Sequence, residues 1–350
     1  MQHGGRLLGT GVYGCTFEPA PRCAGGSVFK SVGGMPAVGK LTTEDIKEEL
    51  GIGRIIMGLP LARQYFAAAT DTCKPATPIQ DPDASRCHIL KDNSELSLLA
   101  MPAAGADILK WARDLPRLAR HYERMFVHLL EAVILLQSAD IVHNDIHMGN
   151  ILVDERGVPR LIDFGLSFHL SEVKEWSDAN MSTQFRPKYF MQAPEVHAWR
   201  MWINGVRVTD GVAQLKELNP EYGVMERQYP GRGSMETSLD QLLRTSKAVS
   251  MRDGAAFVRA YGSKLDCWRT GLCMWLLWDD MLKWSGLQQT EVWAHRDTIR
   301  RVLAGLTDFN PRTRFSAKKA LSLLDPNNRL AQYDQKAAQM NAAVRGNIRS

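Results

Sequence analysis

Ile141-Val142-His143-Asn144-Asp145-Ile146-His147-Met148-Gly149-Asn150-Ile151-Leu152-Val153 decides how this chain reads. Asp145 and Asn150 stand five positions apart in a polar loop between two short hydrophobic runs. Thirteen positions after Asn150 comes the aspartate of Leu161-Ile162-Asp163-Phe164-Gly165. An aspartate in such a loop can orient a hydroxyl or accept its proton, while an amide oxygen and a second carboxylate can hold Mg2+ on nucleotide phosphates. Any one of these residues alone would be an ordinary loop polar group. The spacing His-x-Asp-x4-Asn followed by Asp-Phe-Gly is specific.

Upstream, Gly9-Thr10-Gly11-Val12-Tyr13-Gly14 forms a G-x-G-x-x-G turn. Glycines let backbone N–H groups approach phosphates, but the pattern alone is weak and a plain tight turn satisfies it. Its strand-like flanks, with Thr16 on the following run, predict a phosphate-covering hairpin rather than the strand-to-helix turn of a dinucleotide site. Lys40 ends the β-type run Ala37-Val38-Gly39-Lys40, and the helical pattern after it offers Glu48 and Glu49 as carboxylate partners. Glu49 is favoured, because Ile52 and Ile56 share its face at +3 and +7. That helix is expected from Thr43 to Met57, capped by Thr42 with Asp45 three residues on. Further strand-like pieces are QYFAAAT (64–70) and SELSLLAMP (94–102).

Beyond Ala103 the pattern turns helical. Leu115–Gln137 carries Leu118, Tyr122, Phe126, Leu129, Val133 and Leu136 on one stripe. Helices are also expected at 263–285, 290–305 and 316–324, whereas 196–262 reads as a mixed polar stretch. The expected fold class is α+β and bilobal, a small β-rich N-lobe and a larger helical C-lobe. The boundaries are 1–102, then 103–325, then a polar tail at 326–350.

The pattern resembles the protein kinases from Gly9 to about Leu324. Ala193-Pro194-Glu195 looks like the motif that closes the activation segment, and Leu265-Asp266-Cys267-Trp268-Arg269-Thr270-Gly271 is similar to the helix that braces the catalytic loop. Asn310-Pro311-Arg312-Thr313-Arg314 resembles the segment whose arginine pairs with that glutamate. The resemblance implies a Ser/Thr protein kinase using ATP and Mg2+. Asp145 would be its catalytic base, Asn150 and Asp163 its metal ligands, and Lys40 with Glu49 its phosphate-positioning pair. Gly9, Gly11, Gly14, Thr16, Met101 (the gatekeeper position) and Ala103 would contact ATP. His143, Glu195, Asp266 and Arg314 would be structural. The Gly14–Cys23 start, the short connection after Lys40 and the Lys188-Tyr189-Phe190-Met191-Gln192 run further resemble kinases of large nucleocytoplasmic DNA viruses.

Four departures stand out. Asn144 replaces the arginine of His-Arg-Asp, His147 stands where a lysine is usual, and Lys188 replaces the substrate-loop threonine. In addition, 71 positions separate Glu195 from Asp266, and the protein-kinase resemblance implies that about 198–262 is an insertion in the middle part. Lys188 and His147 are read as one compensating change that supplies the missing cation at the transferred phosphate, the alternative being that Lys188 points into solvent and a protonated His147 supplies it alone. A small-molecule kinase of the aminoglycoside or choline type is the alternative reading, and a catalytically inactive scaffold a third.

The net charge of +5, from 43 basic and 38 acidic residues, is too dispersed to suggest nucleic acid as a partner. The longest apolar run, near Met125–Leu136, is broken by His128 and Glu131, so no membrane span is expected. No signal-peptide core is evident, and Gln2 rules out N-myristoylation. The six cysteines show no CxxC pairing and are expected to be reduced thiols in a cytoplasmic, monomeric protein, with Cys73–Cys87 the alternative pairing.

Overall fold

The computed structural model describes residues 5–11, 14–79, 83–91, 95–229, 231 and 233–332. Val12 and Tyr13 of the glycine turn, and the tail from 333 with its Lys336, Arg345 and Arg349, lie outside the described residues. The chain divides into two units: 1–106 with 152–156 and 160–165, and 107–151 with 157–159 and 166–350. The division differs from a single cut at 102, because the segment carrying Asp163 joins the first unit.

The first unit is an antiparallel sheet. Its strands are β1 (Arg6–Gly11), β2 (Gly14–Glu18), β3 (Ser31–Val32), β4 (Met35–Thr42), β5 (Asp71–Cys73) and β6 (Ser97–Pro102). The order is β1-β2-β4-β6-β5, with β3 paired to β4. Side chains alternate across a strand, so β4 and β6 each serve two faces. Leu41 and Leu98 pack with Cys15, Phe17, Cys23, Cys87 and Ile89 on one face. Val38, Leu99 and Met101 pack with Leu50 and Ala69 on the other. Lys40 has the parity of Val38, which sends its side chain toward helix α1 (Lys47–Met57).

Helix α1 begins later than the sequence suggested. Its N-cap is Ile46 without a side-chain cap, because Thr42 is still in β4 and its hydroxyl accepts from Glu44 N, while Asp45 accepts from Lys47 N. These short turns compete with helix for the same donors. The expected strand at 64–70 is also absent: α2 (Ala62–Tyr65) ends there and Phe66 starts an extended segment.

The cysteine expectation is overturned. Cys15 is bonded to Cys87 and Cys23 to Cys73, across sequence separations of 72 and 50, leaving Cys267 and Cys273 as buried thiols. Spacing could not show this, since the sheet alone brings the pairs together; Cys23, for example, bridges to Pro75. Loops of this length make the cross-links stabilising by about 2–4 kcal/mol each through the unfolded chain. Cys23→Ser should therefore melt at a clearly lower temperature than the oxidised wild type, and dithiothreitol should bring the wild type down as well. Identical melting curves with and without reductant would contradict this.

The second unit is mostly helical. Strand β7 (Ala106–Asp107) leads to α3 (Ile108–Ala112) and α4 (Leu115–Ser138), each started by an aspartate whose side chain accepts a backbone N–H. Short strands β8 (Ile141–Val142) and β11 (Phe168–His169) pair with each other, while β9 (Ile151–Val153) and β10 (Pro159–Leu161) run into the 152–156 and 160–165 stretches of the first unit. The stretch expected to be mixed and polar is instead helical: α5 (Pro194–Ile203), α6 (Val208–Leu218), α7 (Glu221–Gln228), α8 (Met235–Thr245), α9 (Lys247–Ser250) and α10 (Gly254–Tyr261). Its apolar residues are spread thinly between Gly and Pro, but Trp199 stacks on Trp176 and meets Phe257, giving it a core. Then follow α11 (Leu265–Leu282), α12 (Glu291–Ala294), α13 (Arg296–Leu306), α14 (Ala317–Leu324) and α15 (Arg329–Gln332). Helices α4 and α11 form the centre, where Tyr122 donates to Met274 O at 2.7 Å beside Trp278. Among the described residues no helix is long and apolar enough to cross a membrane.

Candidate active site

In the first unit, β1 and β2 pair so that Gly9 faces Thr16 and Gly11 faces Gly14, and Thr16 in turn faces Lys40. A Cβ on Gly14 would lie 2.4 Å from Leu41 O, whereas one on Gly9 would meet none of the described residues within 4 Å. Gly14 is therefore fixed by packing, and Gly9 leaves backbone open to an approaching group. Lys40 Nζ donates to Glu49 at 3.2 and 3.3 Å and to Asp163 Oδ1 at 2.8 Å. Glu49, rather than Glu48, meets the lysine, and it is buried while Asp163 keeps 41% of its side chain exposed. Burial pushes the Lys40 ammonium down, but Glu49 and Asp163 outweigh it and raise its pKa overall. Glu49 is itself raised, chiefly by burial. The lysine is thus a fixed cation with one exposed carboxylate beside it.

Asp163 has φ +62, a left-handed conformation that aspartate tolerates better than most residues. Phe164 behind it is buried edge-on against Phe66. Met101 is buried next to Val38, and the Ala103 N–H donates to Pro36 O at 2.8 Å. That N–H is spent, so Ala103 can offer adenine its carbonyl but no donor.

In the second unit the catalytic-loop sequence is tied to α11. Asp266 accepts from His143 N at 2.7 Å and Asn144 N at 3.0 Å. His143 is fully buried and its Nδ1 accepts from Asp145 N. Asn150 Nδ2 donates to Asp145 O at 2.9 Å and Oδ2 at 3.1 Å, which leaves the amide oxygen as the atom it can offer a hard cation. Oxygen donors in small number suit Mg2+, which keeps waters and phosphate oxygens for its remaining positions. His147 Nδ1 lies 3.0 Å from Gly149 N, which leaves Nε2 facing Asp145 Oδ2 at 3.6 Å.

The structure does not bring Lys188 to this loop. Lys188 is exposed and makes no side-chain hydrogen bond or ion pair among the described residues. Its neighbour Tyr189 instead donates its hydroxyl to Asp145 Oδ1 at 2.8 Å. A tyrosine ring spans the distance with few rotatable bonds, whereas the lysine gains more by staying hydrated. From below, the buried Arg269 donates to Asp145 Oδ1 and to Asn144 Oδ1, each at 3.4 Å. Burial alone would raise the Asp145 pKa. Hydrogen bonding from His147, the Arg269 and His147 charges and the Tyr189 hydroxyl outweigh burial and hold the carboxyl well below the usual range. Removal of the Tyr189 hydroxyl from water, and then the Asp145 charge and hydrogen bond, push Tyr189 up to about 12.

Sequence reading missed both residues. Arg269 carried a signal: it is a lone cation among Trp268, Thr270, Gly271 and Leu272 in a helix apolar all round, where an arginine must be buried and paired. Tyr189 carried none beyond its place in an aromatic run.

The segment after Asp-Phe-Gly is fastened without any phosphate. Asn144, at φ +61 and buried, donates to Leu166 O at 3.3 Å and Ala179 O at 3.0 Å. Glu195 and Arg314, both with fully buried side chains, form a bidentate pair at 2.7 and 2.6 Å. Phosphatase treatment should accordingly leave the catalytic rate unchanged, because a neutral amide bonded to carbonyls has no use for a phosphate. A large fall in rate would point to Arg200, whose Nε donates to Ser182 O within this segment, as a phosphate receptor.

Among known families, the protein kinase domain profile matches residues 87–209. The serine/threonine-protein kinase pakH of Dictyostelium discoideum is 32% identical over 95 residues, 26% of this chain and 18% of that protein. The serine/threonine-protein kinase ppk31 of Schizosaccharomyces pombe is 44% identical over 61 residues, 17% of this chain and 6% of its own length. A hormonally up-regulated neu tumor-associated kinase homolog B of Xenopus laevis is 30% identical over 129 residues, 33% of this chain and 20% of the relative. The matched stretch thus spans a fifth or less of each of these relatives.

Proposed function

We propose that this chain is a protein kinase and moves the γ-phosphate of Mg·ATP to serine or threonine hydroxyls of a protein, a reading supported by the kinase-domain match over 87–209 and by the similarity to serine/threonine-protein kinases. A kinase domain implies ATP, a divalent metal and a protein substrate. The observation that carries the reading is Lys40 held between Glu49 and Asp163. A strand lysine fixed by a helix carboxylate, next to an exposed aspartate, is what phosphate and metal binding require.

Mg2+ would neutralise phosphate charge, with Asp163 and Asn150 as its protein ligands. Lys40 would fix phosphate oxygens, and the open backbone at Gly9 and Gly11 would cover them. Asp145, kept ionised, would orient the acceptor hydroxyl and take its proton. Protein rather than small-molecule substrates are favoured because the activation segment is complete, closed by Glu195 and Arg314. The viral-kinase resemblance rests on the sequence cues alone, and a cytoplasmic site of action belongs to the same proposal. Phosphoamino-acid analysis of labelled protein should give phosphoserine and phosphothreonine. Phosphotyrosine alone would overturn the Ser/Thr assignment.

A further inference from the structure

The reading of Asp145 as base leaves a question that the geometry answers. A catalytic carboxylate must present one oxygen to the acceptor hydroxyl, and a free side chain would share its time among rotamers. Asp145 Oδ1 is engaged from two sides, by the Tyr189 hydroxyl at 2.8 Å and Arg269 Nη1 at 3.4 Å. Oδ2 accepts one firm hydrogen bond, from Asn150 at 3.1 Å, with the His147 ring 3.6 Å away. A carboxylate oxygen has two lone-pair sites, so Oδ1 is filled, while the second site on Oδ2 faces only the His147 ring at 3.6 Å, the longest of the four contacts.

Arg269 is suited to a fixed role. It is 2% exposed, stands one turn along α11 from Asp266, and its buried Nε has no partner among the described residues. Its charge is answered by Asp145 and, at longer range, Asp266. Tyr189 is 38% exposed and comes from the segment that follows the activation loop, so its contact depends on that segment being ordered.

We propose that Tyr189 and Arg269 are positioning residues that clamp Asp145 through Oδ1 and so turn Oδ2 to the acceptor hydroxyl. The clamp rests on the reading of Asp145 as catalytic base.

The test compares Tyr189→Phe, Arg269→Met, Arg269→Lys and Asp145→Asn in transfer from [γ-32P]ATP to dephosphorylated casein and to water. Loss of positioning alone should lower kcat by about tenfold to a hundredfold while the KM for ATP stays at the wild-type value. Arg269→Lys should recover part of what Arg269→Met loses. Tyr189→Phe keeps the ring and removes only an exposed hydroxyl, so it decides the matter if Arg269→Met melts early. Wild-type kcat in Tyr189→Phe, with Asp145→Asn inactive, would overturn the clamp and leave Asp145 as base. Full activity in Asp145→Asn would instead overturn the assignment of the base itself.

Discussion

Asp163→Asn is expected to abolish Mg·ATP turnover while leaving the melting temperature near that of the wild type. Asparagine suits the left-handed backbone at φ +62, so the exchange adds no strain there. Lys40 would keep its two contacts to Glu49 at 3.2 and 3.3 Å, so no buried charge is stranded. What is lost is the exposed negative oxygen that the proposed Mg2+ site would use. Removing one preorganised electrostatic partner already costs on the order of 10²–10³ in rate, and a metal ligand belongs at or beyond the upper end. Turnover above a tenth of the wild-type value would mean that the metal site is misassigned.

Arg314→Ala should have the largest effect on stability. The guanidinium is fully buried, pairs with both oxygens of Glu195, and donates to Asp308 O at 2.9 Å and Lys264 O at 3.1 Å. Trp268 lies under it at 5.1 Å. Alanine would leave the Glu195 carboxylate buried without its countercharge, at a cost of about 3–5 kcal/mol. At roughly 2–4 °C per kcal/mol for a unit of this size, the melting point should fall by about 10 °C. Glu195→Ala should do comparable damage, since it strands the opposite charge. A drop of only a degree or two in both variants would show that the pair is not what ties Ala193-Pro194-Glu195 to the C-terminal helices.

Much of the frame was legible because local chemistry and global fold agree. The alternation in β4 and β6, the stripe of α4, and the Asp145, Asn150 and Asp163 spacing each follow from residues close in sequence. Glu49 could be chosen over Glu48 because its face of α1 is shared with Ile52 and Ile56. What escaped reading depends on distant partners. The bonds Cys15–Cys87 and Cys23–Cys73 exist only once the sheet is built. The helices between 194 and 261 are held by aromatic packing around Trp176, Trp199 and Phe257 rather than by propensity. Lys188 looked like the residue to reach the transferred phosphate, since it stands in the substrate-loop threonine's place. The backbone there presents Tyr189 instead, and one residue's difference in a loop is beyond any periodicity argument. Arg269 was legible in principle, as a charge in an apolar helix.

The central claim is that this chain phosphorylates protein. The most direct measurement supplies Mg·[γ-32P]ATP with a mixed protein extract in one vessel and with aminoglycosides, choline and nucleosides in others, using Asp145→Asn as control. The account predicts label in protein serine and threonine, absent with Asp145→Asn, and none in the small molecules. Label transferred to a small hydroxyl compound and not to protein would contradict it.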